Sequence, residues 1–157
     1  MTIGYFLGLV GPLYLMAVAW PLARVDIREH RLPNRLTLPA FPVTIVSQVL
    51  AVLLGENWAY LATAAGVAVT AFVAGLVLNR YAGLGMGDVK LITAITLALA
   101  WFSPLVPLVA LAIALVLAGV VATAMVVLQK ARMGSSIALG PYLLVGFVLS
   151  LIGQGWS

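Results

Sequence analysis

AGLGMGDVK, residues 82–90, sets three alternating glycines, an aspartate and a lysine inside a chain that is otherwise almost wholly apolar. The run before it, Trp58 to Leu78, and the run after it, Leu91 to Phe102, are both hydrophobic. Neither alternates apolar and polar residues over strand length, so both read as helices. A second polar island, RVDIREHRLPNRLTLP from Arg24 to Pro39, repeats the pattern of an acid among bases beside turn-forming residues. What the two islands do depends on what solvent the rest of the chain requires.

Of 157 residues, 64% are apolar and 8% are charged. A soluble domain carries about 25% charged residues, and a fold this small leaves a large share of its surface in contact with solvent. The expected solvent is therefore a lipid bilayer. The net charge of +4 comes from bases interleaved with Pro, Leu and acids, which suits a juxtamembrane role and gives no reason to expect nucleic acid. Cysteine is absent, which excludes disulfides, thiolate metal sites and a cysteine nucleophile. The first apolar run starts at Ile3 with no Lys or Arg ahead of it. It lacks the basic region of a signal peptide and reads as a retained span.

A spanning helix needs about 20 mostly apolar residues. The sequence predicts six: Ile3 to Leu22, Leu36 to Leu54, Trp58 to Leu78, a short one from Leu91 to Phe102, Pro104 to Leu128, and Ile137 to Ile152. The expected fold is all-α, a polytopic integral membrane protein with six transmembrane helices in a single domain over residues 1–157. Every Lys and Arg falls in three segments: Arg24 to Arg35, Arg80 with Lys90, and Lys130 with Arg132. Six spans put these on one side, which the positive-inside rule makes cytoplasmic, with both termini outside. Trp20, Trp58, Tyr60, Tyr81, Trp101 and Trp156 are expected at the interfaces. Gly4 and Gly8 form a GxxxG pattern suited to close helix packing.

Asp26 follows the first expected span and Asp88 precedes the fourth, so both emerge on the cytoplasmic side. Taken singly, Asp26 reads as a counter-ion to Arg24, Arg28 and Arg31, and Asp88 as a helix N-cap. The length of the fourth helix argues for more. From Asp88 to Phe102 there are 15 residues, roughly 22 Å at about 1.5 Å each, against a hydrocarbon core of roughly 30 Å. Asp88 is then expected below the near interface, where irregular backbone is tolerated only against protein or a wet cavity. Glycines at 83, 85 and 87 suit such a loop.

Gly85-Met86-Gly87-Asp88 is a GxGD motif. With Asp26-Ile27-Arg28, the segment from Leu32 to Pro39, and Ala138-Leu139-Gly140-Pro141-Tyr142-Leu143, it resembles the type IV prepilin leader peptidases, aspartic peptidases of the inner membrane. The resemblance runs from residue 24 to about 150, with three motifs in order. It implies that Asp26 and Asp88 are the catalytic pair, acting without cofactor or metal on a prepilin or pseudopilin precursor at the cytoplasmic face. Two adjacent carboxylates suit peptide hydrolysis because like charges at contact share a proton. The cysteine-motif region of many full-length relatives is absent, so no methyltransferase activity is carried over. The glutamate that some relatives place shortly before GxGD is also missing, and the sequence resembles the short, stand-alone branch.

Gly85, Gly87 and Lys90 belong to the expected active-site loop; Lys90 either tunes Asp88 or snorkels to the interface. Pro33 and Asn34 are expected to organise the turn that starts the second span, with Asn34 or Thr37 as side-chain cap. His30 reads as a solvated histidine. A Ser/Lys dyad of Ser135 or Ser136 with Lys130 lacks an orienting group. The competing functions are a small transporter or channel, which intramembrane acids also mark, and an inactive pilus-assembly scaffold.

Overall fold

The computed structural model describes residues 3–29, 31–128 and 138–154. His30, Lys130, Arg132, Ser135, Ser136 and Trp156 lie outside them. The described residues are helical or in turns, with no strand. Helix α1 (Ile3–Gly8) and helix α2 (Val10–Glu29) form one rod, interrupted at Leu9. Pro12 accounts for the interruption: it cannot donate to the Gly8 carbonyl, and its ring crowds that carbonyl. A second rod is built from α3 (Asn34–Thr37) and α4 (Ala40–Leu53). Pro39 and Pro42 lack the amide hydrogens that would have carried the ladder across Leu38 and Pro39. Four single helices follow: α5 (Trp58–Ala82), α6 (Met86–Leu99), α7 (Val106–Val127) and α8 (Gly140–Gln154).

Four of the rods are long and apolar enough to cross a membrane: Ile3–Glu29, Asn34–Leu53, Trp58–Ala82 and Val106–Val127. Helices α6 and α8, with 14 and 15 residues, are about 21–22 Å long at about 1.5 Å per residue. The expectation of six spans is thus met in number of rods, and in spanning length by four of them. The boundaries also shift. The first helix runs on to Glu29, past the expected end at Leu22, because Arg24 to Glu29 are compatible with helix even though four of the six are charged. The fourth helix starts at Met86 rather than Leu91 and ends at Leu99 rather than Phe102.

Helix α6 is the centre. Val89, Leu91 and every residue from Thr93 to Leu99 are buried, and Leu15, Leu22, Leu143, Leu144 and Phe147 close around it. Close approaches are made by glycine. On α8, Gly146 lies against the backbone of Ala110 and Ala114. Gly4, Gly8 and Gly11 meet Glu56, Trp101 and Thr44 respectively, so the GxxxG pattern is an architectural contact. Trp101, just beyond the end of α6, is consequently buried at 5% exposure; its ring is held between Gly8 and Tyr60. Trp20, Trp58 and Tyr81 are exposed.

The outer faces stay apolar. Val69, Val73 and Val77 on α5 and Leu108, Val109, Leu115, Val116 and Val120 on α7 are all exposed. Continuous apolar surface on this scale marks a contact with lipid or protein. Helix α5 packs on α6 and α7 packs on α8. Between α5 and α7, over α6, opens an apolar groove of about 280 Å³.

Candidate active site

Helix α5 is capped at its start by Asn57, whose Oδ1 accepts from the Ala59 amide at 2.8 Å. It ends at Gly83, where φ is +72°; this left-handed conformation stops the helix and suits glycine. The turn is short: Gly83, Leu84 and Gly85 are all that separates α5 from α6. The Asn79 side chain donates to the Leu84 carbonyl and holds the link down. Gly85 is the N-cap residue of α6, so Asp88 sits in the first helical turn. Gly87 is likewise helical. This corrects the expectation of an irregular loop through residue 87, and Asp88 is not the N-cap that it suggests when taken singly.

The need for glycine at 87 and 85 is therefore one of space. A methyl group on Gly87 would stand 3.0 Å from Cβ of Leu32, and one on Gly85 would stand 3.0 Å from Oδ2 of Asp88. Leu32 belongs to the link between α2 and α3, which folds over the start of α6. Lys90 ties the same two segments together: its Nζ donates to Oδ1 of Asn34 at 3.0 Å. Asn34 does not cap its helix. Pro33 is the N-cap residue of α3, with φ −70° and no side-chain cap bond. The Thr37 hydroxyl donates back to the Pro33 carbonyl at 3.2 Å, so neither expected cap is formed.

Asp26 lies on α2 itself, not in a loop after it, and is only 4% exposed. Its Oδ2 accepts the backbone N–H of Gly140, the first residue of α8, at 3.0 Å. A methyl group on Gly140 would lie 2.6 Å from that oxygen and 3.3 Å from Cδ2 of Leu32. Leu32 therefore touches the glycine beside each acid, Gly140 beside Asp26 and Gly87 beside Asp88.

The two acids meet at one cavity of about 330 Å³, lined by Asp26 and Asp88 with Arg31, Leu32, Asn34, Gly85, Met86, Gly87 and Lys90. All seven site residues expected from the sequence except Pro33 line it, and Pro33 adjoins it through Asn34. Asp88 faces this cavity from the first turn of α6. Two carboxyl groups on one cavity can share a proton, with one oxygen able to accept a proton and another able to give one. Among the described residues no group of three or more His, Asp or Glu side chains stands together as a metal site.

Arg31, Leu32 and Met86 in the cavity lining, and Gly140 beside Asp26, are the site residues that sequence reasoning did not assign. Gly140 carried a signal in the Gly-Pro-aromatic segment, but nothing local shows that it reaches a side chain 114 positions earlier.

The sequence model of the type IV leader peptidase family matches residues 13–128. This range contains Asp26, the link through Leu32, and Gly85 to Lys90; Gly140 lies beyond it. No curated protein and no solved structure matches the chain.

Proposed function

Because the chain belongs to the type IV leader peptidase family, and is thereby a peptidase, we propose that it is an aspartic endopeptidase with Asp26 and Asp88 as its catalytic pair. Its substrate is the leader of a prepilin or pseudopilin precursor, cut at the cytoplasmic face of the cell membrane, where all six helices are embedded. The observation that carries this reading is the convergence of the two carboxylates, 62 positions apart in the chain, on one cavity.

The chemistry follows from a shared proton. The ionised carboxylate takes a proton from water as the water oxygen bonds to the scissile carbonyl carbon. The protonated carboxyl gives its proton to the carbonyl oxygen, and a neutral tetrahedral diol forms. The C–N bond then breaks as one carboxyl gives its proton to the amine nitrogen and a diol hydroxyl gives its proton to the other carboxylate. This re-forms C=O, leaves a carboxylic acid and a free amine, and restores the singly protonated pair. Met86 and Leu32 bring apolar surface to the cavity lining, and Arg31 and Lys90 bring positive charge to it.

The apolar groove supports a substrate with a hydrophobic helix. Leu84 and Leu139 line it, and each directly precedes a glycine that touches one of the acids. A helix lying between α5 and α7 would present its cytoplasmic end to the pair. A transporter is disfavoured because the acids gather at one end of the bundle rather than facing each other at mid-membrane.

The test is cleavage of a co-expressed prepilin-type precursor by wild type, Asp26→Asn and Asp88→Asn, with membrane levels matched. Both variants should lose at least about a thousandfold in rate, as expected when a member of a catalytic unit is removed. Normal cleavage by either, beside an active wild type, would return the aspartates to structural roles.

A further inference from the structure

We propose that Gly140 is a positioning residue: its backbone N–H and its missing side chain hold the Asp26 carboxylate towards the cavity shared with Asp88. The inference rests on the reading of Asp26 and Asp88 as the catalytic pair.

The first turn of α8 shows why this contact falls at residue 140. The Leu139 carbonyl accepts from the amides of Tyr142 and Leu143, each at 3.1 Å, so Leu139 is where the helix begins. Pro141 has no amide hydrogen. Leu139 has no polar side chain with which to satisfy the donors at the helix start. The Gly140 N–H is free to point away from α8, and it takes Oδ2 of Asp26 at 3.0 Å. An acid from another helix thus stands in the capping position, at the end of α8 where the helix dipole favours negative charge.

The absence of a side chain matters equally. A methyl group at residue 140 would lie 2.6 Å from Oδ2 and 3.1 Å from Cγ of Asp26. Asp26 is buried on α2, so its carboxyl group cannot retreat into open solvent. Leu32 closes the third side, with Cδ2 3.3 Å from the same point. Leu32 also lies 3.0 Å from a methyl built on Gly87, one residue from Asp88. The contacts run unbroken from Asp26 through Gly140, Leu32 and Gly87 to the turn that carries Asp88. A donor fixed in a helix end holds its acceptor in place at no reorganisation cost during the reaction.

The clean test removes the donor without adding bulk. A backbone amide-to-ester replacement at residue 140, made in the full chain, is compared with Gly140→Ala, Asp26→Asn and a control, Gly153→Ala, where an added methyl meets nothing within 4 Å. Each is assayed on a prepilin-type precursor that the wild type cleaves. Loss of one hydrogen bond to a charged group should lower kcat by about tenfold, with KM within about twofold of wild type. Gly140→Ala should lower kcat further with the same small change in KM, and it decides by that split if the ester form does not accumulate. Gly153→Ala should match wild type. Wild-type kcat in the ester form, or kcat and KM worsening together with a lowered melting temperature, would overturn the positioning role. An inactive Asp26→Asn beside a fully active ester form overturns only this inference. An active Asp26→Asn overturns the catalytic reading with it.

Discussion

Asp26 and Asp88 are the residues whose protonation the chemistry depends on. If the pair works with one shared proton, kcat/KM, which reports the free enzyme, should fall on the acid side, where both carboxyls hold protons, and on the alkaline side, where both are ionised. A kcat/KM unchanged across both limbs, in detergent or vesicles, would contradict the shared proton. At this scale the sequence was informative about identity and silent about posture. That Asp26 and Asp88 are unusual acids follows from their rarity in an apolar chain. That Asp26 is inside a helix and bonded to Gly140 does not, because the partner is far away in the chain. Lys90 is a similar case. Its two sequence readings both concerned charge, whereas its ammonium group donates to Asn34 and ties α6 to the segment folded over it.

At the scale of the element, the start of α6 decides the site. Hydropathy marks a helix only where apolar residues begin, which is why Leu91 looked like the first residue. The helix starts five residues earlier because Gly83 stops α5 in a left-handed turn and Gly85 is followed at once by helical backbone. The same blindness shortened the first span, whose charged end continues the helix to Glu29. Gly87 then serves close packing rather than loop freedom. Gly87→Val should press its branched side chain into Leu32 and displace the turn carrying Asp88. A displacement of this kind costs on the order of tenfold to a hundredfold in rate. Adding Leu32→Ala should recover part of the loss, since it removes the group that is struck. Wild-type cleavage by Gly87→Val, or no recovery in the double variant at equal membrane levels, would show that the contact is not what matters.

At the scale of the whole molecule, the all-helical bundle was legible because the apolar runs are long and no strand pattern competes with them. The inward and outward faces were not. Helices in lipid carry apolar residues on both sides, so hydrophobicity does not tell Leu91, fully buried, from Val109, exposed. Packing is instead written in small residues, and only the fold reveals which partner each glycine meets. The bundle's consequence for function is that α2, α6 and α8 bring Asp26, Asp88 and Gly140 to one end, where the cavity opens. The central claim is that the two aspartates work there as one unit. The measurement that tests it most directly is a double-mutant cycle on leader cleavage, with Asp26→Asn, Asp88→Asn and the double variant at matched membrane levels. The account predicts that all three fall to the same background rate, because groups acting as a unit are lost together. Single variants that each retain a measurable fraction of activity, with losses that multiply in the double variant, would show two independent residues and contradict it.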